Sequence, residues 1–288
     1  IESANKLLTE LVNEGTRVFK RCESEAACVA DDALLLLFIH IVEMADGVQV
    51  LVDRSCIAPA IPLVRSEYEA DLAIQYILES DTELRGLSWL LWDAYKRIEV
   101  NERFDATTTA GASYQTAWAN DRESVPLDFP RLAPFAATAV AKMRAYVAVP
   151  DFAPVEAERT RLLSGKGRFP PWYGAFQGPP HLRELAKRLK SEGQYLTLYG
   201  QWSEVSHAHG PERFRRRDAS TDQTTRLLRD SSQFSEVVGF AACFLIRAIR
   251  LMLGKFRPSE DIGPWYLREV RPHFVPEEFA PPNIPPHP

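Results

Sequence analysis

Two short patterns in this chain gather side chains able to bind a phosphate or move a proton. The first is Arg65-x-x-x-Glu69. A four-residue step places both groups on one helical face, where they can pair. The same face carries Leu72 and Tyr76, so the charges are expected to point toward buried surface. In the plainest case this is a helix-surface ion pair. In the functional case it is a polar cluster kept despite its desolvation cost because it binds something. The second pattern is Tyr199-x-x-x-Ser203-x-x-x-His207, inside LYGQWSEVSHAHG. Steps of four and eight residues line up a phenol, a hydroxyl and an imidazole on one helix face. Such groups donate and accept hydrogen bonds and transfer protons. The structural alternative is a satisfied polar seam, with His207 capping a helix C-terminus.

Metal-free RNA cleavage needs a base for the 2′-hydroxyl, an acid for the leaving oxygen and a cation for the phosphate. On that reading His207 transfers protons and Arg65 stabilises the charge that builds on phosphorus. Glu69 orients Arg65, and Tyr199 and Ser203 position the phosphate. The basic run Arg213, Arg215, Arg216 and Arg217, interleaved with Phe214, would hold the RNA backbone. A solvated loop is its plainer reading. The rival reading of the whole set is a non-enzymatic helical binding or regulatory protein. There the same side chains bind a small ligand or a partner protein, or lock helix packing.

No metal and no cofactor are expected. Glu204-x-x-His207 has the spacing seen in di-iron bundles, but a second copy is missing and His40-x-x-Glu43 is its reverse. His207 and His209 lack a cysteine or acidic set to complete a site. The sequence contains no GxGxxG or Walker pattern, and no GxSxG elbow.

Of the 288 residues, 45% are hydrophobic and 25% charged, enough to build a core. The formal charge of −5 argues against a protein that coats DNA electrostatically. The four cysteines, Cys22, Cys28, Cys56 and Cys243, form no CxxC pair. They are expected to be free buried thiols in a reducing cytoplasm. The most apolar stretch, Ala33 to Leu51, carries His40, Glu43 and Asp46, so it reads as a core helix and not a membrane span. No signal peptide is visible.

The elements that must position these residues are helices. Apolar residues recur at three- and four-residue steps from Ala4 to Cys22. Asp31 and Asp32 cap the core helix that follows. Pro59 and Pro62 are expected to open a third helix, and a fourth covers Thr82 to Phe104. TTTAGAS at 107–113 reads as a loop, and Pro130 and Pro134 start a helix through Tyr146. A short helix from Val155 to Leu163 precedes a Gly/Pro/aromatic connector at 165–180. Pro179 and Pro180 then start a helix that Gly193 stops, and further helices run over 194–210 and about 231–256. The expected fold is all-α. It is a single bundle of about eight helices over 1–256, followed by an extended proline-rich tail at 257–288.

Taken together, the apolar helix Leu34–Val52, Arg65/Glu69, Trp172-Tyr173-Gly174 and Tyr199/Ser203/His207 resemble a bacterial domain-of-unknown-function family, number 5677. The resemblance covers roughly residues 30 to 250. It implies a helical fold with a shared polar site and no established reaction. That family in turn resembles the HEPN ribonucleases, helical and usually dimeric proteins of phage defence and toxin–antitoxin systems. This implies a cytoplasmic homodimer acting on RNA, away from any membrane. HEPN enzymes carry an arginine a few residues before the histidine. The nearest arginine upstream of His207 is Arg188, so Arg65 would have to supply the guanidinium from another helix.

Overall fold

A computed structural model describes residues 2–123, 125, 127–165, 170–202, 216–217, 224–225 and 233–274. The chain is all-helical, with eleven helices among the described residues where the sequence suggests about eight. One antiparallel pairing of Arg216–Arg217 with Thr224–Thr225 is the only strand contact in that set. Of the extended tail expected over 257–288, residues 263–274 are helical, and those from 275 lie outside the described residues. The chain divides into two compact units, 1–80 with 183–288, and 81–182.

The first unit is built on four long helices: α1 (Glu2–Glu23), α2 (Val29–Asp53), α3 (Ile57–Glu79) and α10 (Phe234–Phe256). Helix α2 packs between α1 and α3, and α10 lies against all three. The core they share includes Leu8, Leu11, Phe38, Ile41, Tyr68, Leu72, Phe244 and Leu245. By length and composition α2 and α10 would also suffice to cross a membrane. In this fold 44% of the apolar window of α2 and 56% of that of α10 is buried. The α2 start is fixed by Asp31, whose carboxylate accepts the N–H groups of Ala27 and Cys28 at 3.0 and 3.3 Å. Its end is set by Ser55 in a left-handed conformation, φ 57°.

Two boundaries in this unit depart from the proline and glycine signals. Helix α3 begins at Ile57, so Pro62 lies inside it and does not open it. Gly193 does not stop a helix either. Helix α8 (Leu182–Arg188) ends at a left-handed Lys190, φ 56°, and Gly193 sits in the first turn of α9 (Glu192–Leu196). Helix α9 continues as a π-turn over Thr197–Gln201, closed by Trp202 N–H donating to Thr197 O at 3.3 Å. A final helix, α11, runs from Gly263–Trp265 through another π-turn at Tyr266–Val270 to Arg271–Phe274.

The second unit holds α4 (Thr82–Glu102), α5 (Thr109–Asn120), α6 (Phe129–Val147) and α7 (Ala153–Leu163), with α4 packed against α6 and α7. The stretch 107–113 is not a loop. Thr108 caps α5 by accepting Gly111 N–H at 2.9 Å. A Cβ at Gly111 would lie 1.9 Å from Asp105 O, so only glycine allows α5 to start there. Pro134 is likewise interior to α6, which Asp128 caps. In the connector, Trp172–Gln177 forms 3-10 turns held by Glu158, which accepts Phe176 N–H at 2.8 Å. Of the four free thiols only Cys22 is buried. Cys28 and Cys243 are exposed and Cys56 is half-buried, because each lies on or beside a helix surface.

Candidate functional site

Helices α3 and α9 bring Arg65, Glu69 and Tyr199 together. Leu198 and Trp202, one helical step apart, are both buried and anchor the end of α9. Trp202 meets Phe240 of α10 edge-on, with ring centroids 5.4 Å apart. That anchoring turns Tyr195 and Tyr199 toward α3. Their rings stack in parallel at 4.8 Å. The Arg65 guanidinium lies over the Tyr199 ring, 4.3 Å from its centroid. The Tyr199 hydroxyl donates a short hydrogen bond to Glu69 Oε1.

The electrostatics follow from this arrangement. Burial first, and then the Glu69 carboxylate, push the Tyr199 phenol well above its ordinary value, while Arg65 opposes them. Tyr199 therefore keeps its proton and acts as a donor, not as a base. The cluster sits at a solvent edge: Glu69 is exposed, and Arg65 and Tyr199 are half-buried. The apolar neighbours expected beside it, Leu72 and Tyr76, are buried as anticipated. Arg188 covers the Tyr76 ring at 5.3 Å and forms an ion pair with Glu79 at 2.8 Å.

Ser203, His207, Arg213 and Arg215 lie outside the described residues. Arg216 and Arg217 are described only as backbone, in the short strand pairing. The structure thus brings three of the five clustered residues together. The π-turn at Thr197–Gln201 adds a residue to the turn that carries Tyr199.

A second polar cluster lies deeper, and the motif reading missed it. Asp71 is fully buried on α3 and receives two N–H groups of Arg247 from α10, one at 2.9 Å and one shorter. Gln75 donates to the same carboxylate at 2.8 Å. Tyr68 donates to Ser191 O at 2.9 Å, and burial pushes its phenol up to about 12. Ser191 in turn donates to Gln194 at 2.6 Å. Glu67 is fully buried on the same face as Asp71, and neither of its carboxyl oxygens has a hydrogen-bond partner among the described residues. Two signals point to this cluster in the sequence: the acids at 67 and 71 within an apolar helix, and Arg247 inside FAACFLIRAIRLML. On α2, His40 Nε2 meets Ser66 Oγ at 2.7 Å. Among the described residues no three His, Cys, Asp or Glu side chains gather as metal ligands would.

An all-helical protein with a polar cluster between two of its helices is the class that fold and site define. The model of a family of unknown function, DUF5677, matches residues 31–222, and the chain belongs to that family. No curated protein and no solved structure matches it. The matched span contains both α3 and α9, and so the whole of the Arg65–Glu69–Tyr199 cluster.

Proposed function

We propose that this chain is a metal-independent, ribonuclease-like effector of a bacterial defence or toxin system, working in the cytoplasm as a homodimer. One observation carries the reading. A guanidinium, a carboxylate and a proton-holding phenol, the last two 130 residues apart in sequence, meet at a solvent edge. Arg65 would face the phosphate and stabilise the negative charge that grows on it. Tyr199 would donate a hydrogen bond to a phosphate oxygen in place of Glu69, and Glu69 would then steady Arg65. His207 would take the proton of the 2′-hydroxyl as its oxygen attacks phosphorus and return one to the departing 5′-oxygen. Ser203 would help to seat the phosphate, and Arg213, Arg215, Arg216 and Arg217 would follow the RNA backbone.

The test is cleavage of a labelled single-stranded RNA by the full chain with a chelator present. Wild type should cut, and Arg65→Ala and His207→Ala should each abolish cutting while the melting temperature falls by only a few degrees. An inactive wild type, or variants as active as wild type, would refute the reading.

A second reading has its own support. Arg65 and Glu69 are both already engaged with Tyr199 without a substrate. In that case the chain is a non-enzymatic binding or regulatory protein, and the three residues lock α3 to α9 or open to admit a small ligand or partner. It predicts no cleavage, together with destabilisation by Arg65→Ala as the main effect.

A further inference from the structure

Helix α3 buries two acids one turn apart, Glu67 and Asp71, and both are fully excluded from solvent. One guanidinium serves them. Arginine keeps its charge at any ordinary pH. Two of its N–H groups face the two oxygens of Asp71. Those bonds and the Gln75 amide favour the ionised form of Asp71 against its burial, so of the two acids Asp71 is the one held as the anion.

Glu67 then has a negative neighbour on its own helix and, among the described residues, no cation of its own. The groups that the surrounding helices bring to this seam do not change this. Helix α10 contributes Arg247, which is engaged with Asp71, and Cys243. Helix α2 contributes His40, whose Nε2 is bonded to Ser66. Helix α9 contributes Gln194, an amide, and Tyr195. An isolated ionised carboxylate in such surroundings is far costlier than its neutral acid, and a buried group in that position takes up a proton instead.

We propose that Glu67 is a proton-binding site of the folded protein, and that the bound proton makes the seam between α3 and α10 a pH-sensitive latch. The assignment stands on burial and, among the described residues, on two oxygens without a hydrogen-bond partner and on two acids against one guanidinium. Burial and the neighbouring Asp71 charge push the Glu67 carboxyl well above the usual range. Because its folded value exceeds its unfolded value, the stabilisation is complete below the unfolded glutamate range. It is lost progressively as pH rises toward the folded value. The proposal does not depend on RNA cleavage.

The experiment is urea unfolding of the full chain, wild type and Glu67→Gln, at a series of pH values from about 5 to 9. Glutamine mimics the neutral acid, so the variant should lack this dependence. The folded-to-unfolded ratio of wild type relative to the variant should fall by about tenfold per pH unit across the window, one proton being linked to folding. Parallel curves would overturn the proposal. If Glu67→Gln does not fold, carbon-13 carboxyl spectra of glutamate-labelled wild type decide the matter. One glutamate should remain protonated at neutral pH, and a spectrum with every glutamate ionised would overturn it. Potassium, sodium or magnesium that stabilised wild type and not the variant would also overturn it, since a bound cation would then neutralise Glu67.

Discussion

Arg247→Met is expected to destabilise the first unit by about 3–5 kcal/mol, the usual consequence of leaving one member of a buried ion pair alone. Asp71 is 0% exposed, and the variant removes both guanidinium N–H groups, leaving the Gln75 amide as the remaining donor to its carboxylate among the described residues. Methionine refills most of the arginine stem, so lost packing is the smaller part of the effect. The pH dependence gives a sharper signature. Burial already pushes the folded Asp71 carboxyl up against the opposing pull of Arg247, and without Arg247 it moves up further above its unfolded value. Stability is then retained below that value and lost as pH rises, so the deficit should shrink in acid.

The assay is urea unfolding at neutral pH and near pH 4, with the double variant Asp71→Leu/Arg247→Met completing a cycle. Replacing both partners with apolar groups is often neutral or stabilising, so the double variant should recover most of the loss. A deficit below about 1 kcal/mol, or one equal at both pH values, would refute the claim that Asp71 is a buried anion held by Arg247.

Three further outcomes can be measured directly. Tyr199→Phe removes the bond to an exposed Glu69, so it should cost only about 1 kcal/mol in unfolding free energy while lowering RNA cleavage or ligand affinity by more than tenfold. Gly111→Ala forces a Cβ against the Asp105 carbonyl, and thermal unfolding should report a loss of about 1–3 kcal/mol from the second unit. Glu158 is held below the usual range, first by Arg161 and then by the Phe176 N–H against opposing burial. Its contribution is therefore present above the unfolded glutamate value and lost as pH falls through the folded one. Glu158→Gln should flatten that acid limb and speed proteolysis in the 165–180 connector.

The helical periodicity of α1, α2 and α4 can be read directly because each buries a continuous apolar stripe. Boundaries set by backbone geometry cannot. The left-handed Lys190 that ends α8 has no residue signature, and Gly193, which looks like a stop, is tolerated inside a first turn. Thr108 looks like loop until the space left by Gly111 is known. The same limit applies to the site. Arg65, Glu69 and Tyr199 are visible as spacings, and their meeting follows from two polar stripes each needing a partner. The Asp71–Arg247 pair was harder to find because its members sit 176 residues apart and neither belongs to a short motif. A lone charge inside an apolar run was the signal, and it names no partner.

The two clusters are mechanically linked through α3. Arg65 and Glu69 stand two positions from Glu67 and Asp71, which at about 100° per residue puts the pairs roughly 200° apart, on opposite sides of one helix. The inner pair faces α10 and the outer pair faces α9. Whatever fixes the rotation of α3 against α10 therefore also fixes where Arg65 and Glu69 stand beneath Tyr199. An Arg247→Met protein that is still folded in acid should show this without any change to the outer residues, since α3 would no longer be pinned in register. Its Tyr199 hydroxyl should exchange faster than wild type by NMR, and the double variant, which restores stability but not the pin, should not slow it. If the double variant restores slow exchange, apolar packing alone sets the register of α3, and the ion pair has no positioning role.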